Sequence, residues 1–134
     1  MGVGADHILS KGHLATGSTA YKLGELVVAS GDGTKVARAT SANAVVRGVC
    51  GENLDTNRLG SGKAVIQVNM LGISRVLAGA AVSVDAYVTN DTTARAVTAT
   101  AGQNVFGKAL TAATAAGQYI DVLLTPGAIV APAS

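Results

Sequence analysis

From Tyr21 onward the sequence is a succession of short runs rich in Val, Ile and Thr, interrupted every few residues by Gly, Asp, Asn or Ser. β-branched runs of this length, separated by turn formers, build antiparallel strands and hairpins. The pattern predicts strands near 24–29, 34–40, 45–50, 63–70, 72–78, 81–89, 93–100, 105–110 and 119–124. Ala64, Ile66, Val68 and Met70 interleave with Val65, Gln67 and Asn69, and Ile120, Val122 and Leu124 oppose Tyr119, Asp121 and Leu123, so one face of each strand looks inward. Ser30-Gly31-Asp32-Gly33 and Asn90-Asp91-Thr92 supply turns, because Gly accepts positive φ and Asp or Asn bonds its own backbone. Alanine gives the segment Ala109 to Gly117 helical propensity, and a single helical turn or a loop fits it equally. The fold class is all-β.

The partition of residue types then limits what such a domain does. Apolar residues make up 49% of the chain, but Ala and Val dominate them, so the core is thin. Charged residues are 13%, against about 25% in ordinary globular domains. A weakly charged exterior of Thr, Ser, Asn, Gly and Ala favours a surface that is covered by partners. The basic residues are scattered and only Tyr21, Tyr87, Tyr119 and Phe106 are aromatic, which leaves no nucleic-acid partner in view. The most hydrophobic stretch, Ile73 to Val88, holds Arg75 and Asp85 and is too interrupted to span a bilayer, so no membrane is expected either. The single cysteine, Cys50, lies in a strand-like stretch and reads as a small buried hydrophobe.

Residues 1–20 differ from the rest. They carry both histidines, His7 and His13, four glycines, and only Ile8, Leu9 and Leu14 as larger apolar groups. Such a segment is expected to be a flexible N-terminal arm, ordered on another surface. Ile8, Leu9, Leu14 and the adjoining Tyr21 are therefore the candidate contact residues. The domain division is an arm over 1–20, a β domain over 21–126 and a C-terminal tail over 127–134. The opening Met1 to His7 has no secretory pattern, and synthesis in the cytosol is expected.

No catalytic constellation emerges. Leu59-Gly60-Ser61-Gly62-Lys63-Ala64 lacks both the early glycine and the hydroxyl of a phosphate loop and reads as a flexible connection. His7 and His13 lack companion ligands and read as exposed, solvated side chains. Glu52 and Asp55 form the one close acidic pair, in a polar loop with Asn53 and Asn57, and a solvated loop is the plainer reading beside weak calcium binding. Asp85 and Asp121 fall in predicted strands, on outward faces. Neither a cofactor nor a metal is expected, and the chain reads as no enzyme.

Two stretches resemble each other: Val36-Ala37-Arg38-Ala39-Thr40 with Val45-Val46-Arg47-Gly48-Val49, and Ala96-Val97-Thr98-Ala99-Thr100 with Asn104-Val105-Phe106-Gly107-Lys108. A duplication would give this likeness, and so would two hairpins drawn from the same small alphabet.

The order Gly48-Val49-Cys50, then Gly62 to Val68, Gly72-Ile73 and Leu77 to Val84, resembles the small capsid decoration proteins of tailed bacteriophages, also called cement or head-stabilising proteins. The closing part, Val105 to Ala113 followed by Ala116-Gly117-Gln118 and Tyr119 to Leu124, is similar to that family's closing strand, Ala-rich link and final strand. The resemblance covers residues 24 to 125. It implies a small β-barrel or β-tulip-like domain, often trimeric, that docks on the outer surface of an assembled head and bridges major capsid protein subunits. It implies no cofactor and no catalytic residue. Repetition over a lattice turns weak apolar and backbone contacts into avidity. The alternative from the residues alone is a fibre or spike module that binds host-surface carbohydrate through Thr- and Asn-rich outward positions.

Overall fold

The computed structural model describes residues 7–17, 19–30, 33–60 and 64–130, and of 7–10, 60 and 125–130 it describes the backbone alone. Among these residues nine strands and one short helix follow in chain order: β1 (His7–Ala15), β2 (Leu26–Ser30), β3 (Lys35–Arg38), β4 (Gly48–Cys50), α1 (Thr56–Gly60), β5 (Val65–Leu77), β6 (Tyr87–Asn90), β7 (Ala96–Thr98), β8 (Asn104–Ala109) and β9 (Tyr119–Val130). The all-β expectation holds.

The first five strands close a ring. β1 pairs with β3 in parallel, β3 with β2, β2 with β4, β4 with β5, and β5 returns to β1, all antiparallel after the first. This is a five-stranded barrel, and closure removes the exposed edges that a small open sheet would carry. Its interior is filled by Tyr21, Val27, Val36, Cys50, Leu54, Leu59, Ile66 and Val68.

The remaining strands repeat the ring. β6 pairs with β7 and β8, β8 with β9, and β9 with the C-terminal half of β5, while the parallel pair Ala78↔Ala96 closes the circuit. The correspondence reaches single residues. Val27↔Arg38 and Val27↔Gly48 in the first barrel match Val88↔Thr98 and Val88↔Gly107 in the second. The bridge Tyr21↔Leu54 matches Val82↔Ala113. The N–H of Gly24 donates to Cys50 O, as that of Asp85 does to Ala109 O, and both residues have positive φ, 89° and 69°. The likeness seen between 36–49 and 96–108 is therefore one stretch of a structural repeat that runs through the chain.

β5 belongs to both barrels. Its first half, with Ile66 and Val68 inward, ends the first barrel, and its second half, with Ser74 and Val76 inward, begins the second. Two separate strands are expected around Gly72. One continuous strand forms instead, with Gly72 at φ 95°, where a residue with a side chain would be strained. Gly48 and Gly107 occupy matching places for another reason. A Cβ on Gly48 would lie 2.6 Å from both Asn69 O and Val68 Cγ1, and one on Gly107 would lie 2.5 Å from Val122 Cγ1 and 2.6 Å from Leu123 O. Each barrel thus needs a bare backbone where its third antiparallel strand crosses its last.

The second interior is lined by smaller residues. Ala96, Ala109 and Ala113 stand where the first barrel has Val36, Cys50 and Leu54, and Phe106, at the register shift between Val105 and Gly107, joins the same cluster. That cluster also holds Leu26, Ala39 and Val49, which lie on the outside of the first barrel. The interior of the second barrel is thus continuous with the joint between the barrels, while the interior of the first is a separate cluster.

Several sequence expectations shift. Residues 7–15, expected as a flexible arm, form β1 and are built into the first barrel, because main-chain hydrogen bonds to β5 and β3 order a strand that has few large side chains. The strand expected over 81–89 shortens to Tyr87–Asn90 because Asp85 is in a positive-φ turn. Of the two alternatives open for the 109–117 segment, a helical turn or a loop, the structure has the loop; Ala113 bridges Val82 and Gln118 Oε1 accepts from Thr114 N–H at 2.7 Å. The expected turn residues Gly31 and Asp32, and Ser61 to Lys63 of the flexible connection, lie outside the described residues.

Candidate interaction surface

The acidic pair singled out by sequence is tied into the fold. Asp55 Oδ1 accepts from Arg58 N–H at 2.8 Å, which caps α1, and the flanking Leu54 and Leu59 are both buried in the first core. This is an N-cap with an apolar residue on each side of the first turn, a signal present in Leu54-Asp55-x-x-x-Leu59 that strand-based reading passes over. Glu52 Oε2 accepts from Gln67 N–H at 3.1 Å, and its other oxygen stands 3.6 Å from Arg58. Asn53 Oδ1 accepts from Leu23 N–H at 2.9 Å. The loop is held by these bonds, and no group of three His, Cys, Asp or Glu side chains converges anywhere among the described residues.

The other reactive side chains are enclosed. His13, expected to be solvated, is buried in β1 opposite Ile66, and its Nδ1–H donates to Lys11 O at 3.1 Å. The side chain of His7 lies outside the described residues. Cys50 is buried as expected; loss of solvent pushes its thiol up to about 11, and Sγ–H donates to Glu52 O. A thiol held protonated in this way is a poor nucleophile. Glu25, 4% exposed, takes both guanidinium donors of Arg38, at 2.7 and 3.1 Å, and this bond raises the arginine above its ordinary range. Arg38 also approaches Thr93 O at 3.4 Å, so the pair fastens the first barrel to the β6–β7 turn.

That turn forms the joint between the barrels. Asn90, buried at 1% exposure, donates to Ala39 O and Ser41 O and accepts from Ala44 N–H, while Leu26 N–H donates to Ala94 O at 2.7 Å. These bonds draw the second barrel over Leu26 and Val49.

What remains outward is mostly apolar or neutral. On the second barrel Tyr87, Lys108, Leu123 and Ile73 form one cross-strand row, with Tyr87 42% and Leu123 41% exposed. Leu110, Arg75, Asp121 and Tyr119 continue the same face, with the Arg75 guanidinium 5.9 Å from the centre of the Tyr119 ring. On the first barrel Leu14, half-buried, pairs with Val65, which is 50% exposed. A shallow depression between Thr16, Thr19, Ala37, Arg38 and Thr40 has the Glu25-bound Arg38 as its one charged lining group.

Of the four expected contact residues, the side chains of Ile8 and Leu9 lie outside the described residues, and Leu14 keeps an outward edge. Tyr21 is a correction. It is 1% exposed, its hydroxyl donates to Thr16 O and Val36 O, and burial raises its pKa. Its ring fills the first barrel and has no surface left for a partner. The large outward residues Tyr87 and Leu123 were missed as candidates, although the alternation in 119–124 already points Leu123 away from the core.

No protein-family model matches the chain, and no curated protein sequence does. Among solved structures it is similar to the head fiber gp8.5 N base of bacteriophage phi29, with 21% identity and a TM-score of 0.66, over 90% of this chain and 97% of that one. The likeness covers both barrels and establishes a shared fold.

Proposed function

We propose that this chain is a structural, non-enzymatic protein of a tailed-phage head, which binds the outer surface of the assembled capsid and bridges major capsid protein subunits. The observation that carries this reading is the near full-length fold match to a phage head fiber base. The chemistry of the chain agrees with it: the acidic side chains of the 52–55 loop serve the fold, the thiol is protonated and enclosed, and the outward faces offer apolar and neutral groups suited to many weak contacts. Leu14 and Val65 are proposed as part of the contact surface, with the backbone of β1 beside them. The active form is proposed to be a homo-oligomer, a trimer as in the decoration proteins the sequence resembles, located on the virion.

Co-sedimentation with undecorated, expanded capsids tests this. Binding at micromolar concentration is expected, and Val65→Asp is expected to weaken it about tenfold or more by placing a charge in an apolar contact. Absence of the protein from the capsid pellet would refute the reading.

The second reading, a fibre module that binds host carbohydrate, draws on the same match, because the neighbour is part of a fiber. A glycan array separates the two: the capsid reading predicts no sugar bound.

A further inference from the structure

The repeat matches the outward row Lys35, Leu14 and Val65 of the first barrel with Arg95, Leu77 and Tyr119 of the second. In the second barrel a stretch of main chain lies across that row: Leu77 N–H donates to Gly24 O at 2.9 Å, and the Tyr119 hydroxyl donates to Leu23 O at 3.0 Å. Leu77 is nearly enclosed there. In the first barrel the row is open, with Lys35 exposed, Leu14 half-buried and Val65 50% exposed. The charges differ at the same place. Arg95 stands 3.7 Å from Asp91, whereas the residue of the first barrel that matches Asp91 is Ser30, and it is Ser30 that pairs with Lys35. This difference extends to the two halves of the chain. Residues 72–134 hold three cations and three acids, placed as Arg95 beside Asp91, Lys108 beside Asp85, and Arg75 across from Asp121. Residues 1–71 hold seven cations and five acids, so the net charge of +2 belongs to that half. Among the described residues Lys11, Lys35 and Arg47 have no carboxylate paired with them. Lys11 is in the strand that carries Leu14, and Arg47 Nη1–H donates to Gly33 O in the turn that leads into β3.

We infer that the Lys35–Leu14–Val65 row takes an acidic segment of a partner protein, whose carboxylates meet Lys35 and whose aliphatic groups meet Leu14 and Val65. The second barrel shows what this row accommodates, a stretch of polypeptide laid across a leucine with an acid beside the cation. The first barrel has neither the cover nor the acid, and an acidic segment supplies both. The apolar centre gives such a contact its buried area, and the cation at the rim selects the sign of the partner's charge. A nucleic acid fits the row less well, since its centre is aliphatic and offers no aromatic ring for a base to stack on. The inference rests on the capsid reading for the identity of the partner, the outer surface of the major capsid protein, and adds the charge which that surface carries.

Co-sedimentation of the full chain with undecorated, expanded capsids, repeated from about 50 to 500 mM salt, tests it. Binding is expected to weaken about tenfold or more over that range, because charge pairs at an exposed rim are screened. Lys35→Glu is expected to weaken binding about tenfold or more at low salt, and Lys35→Ala to weaken it less and to flatten the salt dependence. Lys108→Glu makes the same change in net charge on the second barrel and is expected to bind within about twofold of the wild type. Melting curves establish that each variant is folded, and Lys35→Ala suffices if Lys35→Glu is not. Binding that ignores salt, or that Lys35→Glu and Lys108→Glu affect alike, would overturn the inference and leave the capsid reading standing. Binding to a DNA duplex with the same dependence on Lys35, in place of capsids, would overturn it in favour of a nucleic acid. Absence of binding to capsids at every salt concentration would overturn both readings.

Discussion

At the scale of single residues, the fold rests on positions where a side chain is absent or kept neutral. Gly48 and Gly107 stand at matching crossings, and the backbone oxygens opposite them cannot move without breaking the adjacent ladder. Gly48→Ala and Gly107→Ala are each expected to cost about 1–3 kcal/mol through overpacking, measured by chemical or thermal denaturation. Similar losses at the two sites are expected, since the obstructing atoms are of the same kind. Cys50 gives a prediction in pH. Its pKa rises from 9.0 to about 11 on folding, so the folded state holds the proton more tightly than the unfolded chain. The corresponding stability is fully present below pH 9 and is lost as pH climbs toward 11. Tyr21, also raised by burial, acts in the same direction. Denaturation midpoints followed from pH 8 to 11 are expected to fall, with a shallower fall in Cys50→Ala. The burial of Cys50 is legible in its Val-rich surroundings. The enclosure of His13 and Tyr21 is not, because a polar tip hides which face a residue takes until its strand has a partner.

At the scale of elements, the informative case is β1. Ile8, Leu9 and Leu14 are too few to mark a core strand, and a residue-by-residue reading makes the segment an arm. Its place in the barrel is set by backbone pairing with the first half of β5, which no side-chain pattern encodes. Removing residues 1–15 is expected to open the first barrel and expose Ile66 and Val68, with loss of cooperative melting and increased dye binding. Retention of the wild-type melting temperature would show that β1 is dispensable. The Glu25–Arg38 pair joins β2, β3 and the β6–β7 turn. Arg38→Ala would leave a carboxylate nearly enclosed without its partner, and is expected to cost about 2–4 kcal/mol, the lower part of that range reflecting the partial exposure of the guanidinium. Most other strands are legible from their β-branched runs between turn formers, and the first half of β5 and the start of β9 from period-2 alternation as well. Their ends are not, because positive-φ residues such as Asp85 and Ala94 stop a strand at places where hydrophobicity continues.

At the scale of the whole molecule, two five-stranded barrels share one strand, and the joint between them is specified by Asn90 and by Leu26 and Val49. The sequence carries this arrangement faintly, in the likeness of residues 36–49 to 96–108. It stays ambiguous there because a chain built largely of Ala, Val, Thr and Gly yields similar hairpins by composition alone; the matched register of every strand pair removes the ambiguity. The double barrel presents outward faces and encloses Cys50 and His13, and the proposed capsid role rests on those faces. Electron microscopy of expanded capsids incubated with the protein addresses that claim most directly. The account predicts added density at regular positions on the outer surface, sized for a closed oligomer of double barrels and touching more than one capsid subunit. A shell that stays bare at saturating protein would contradict it.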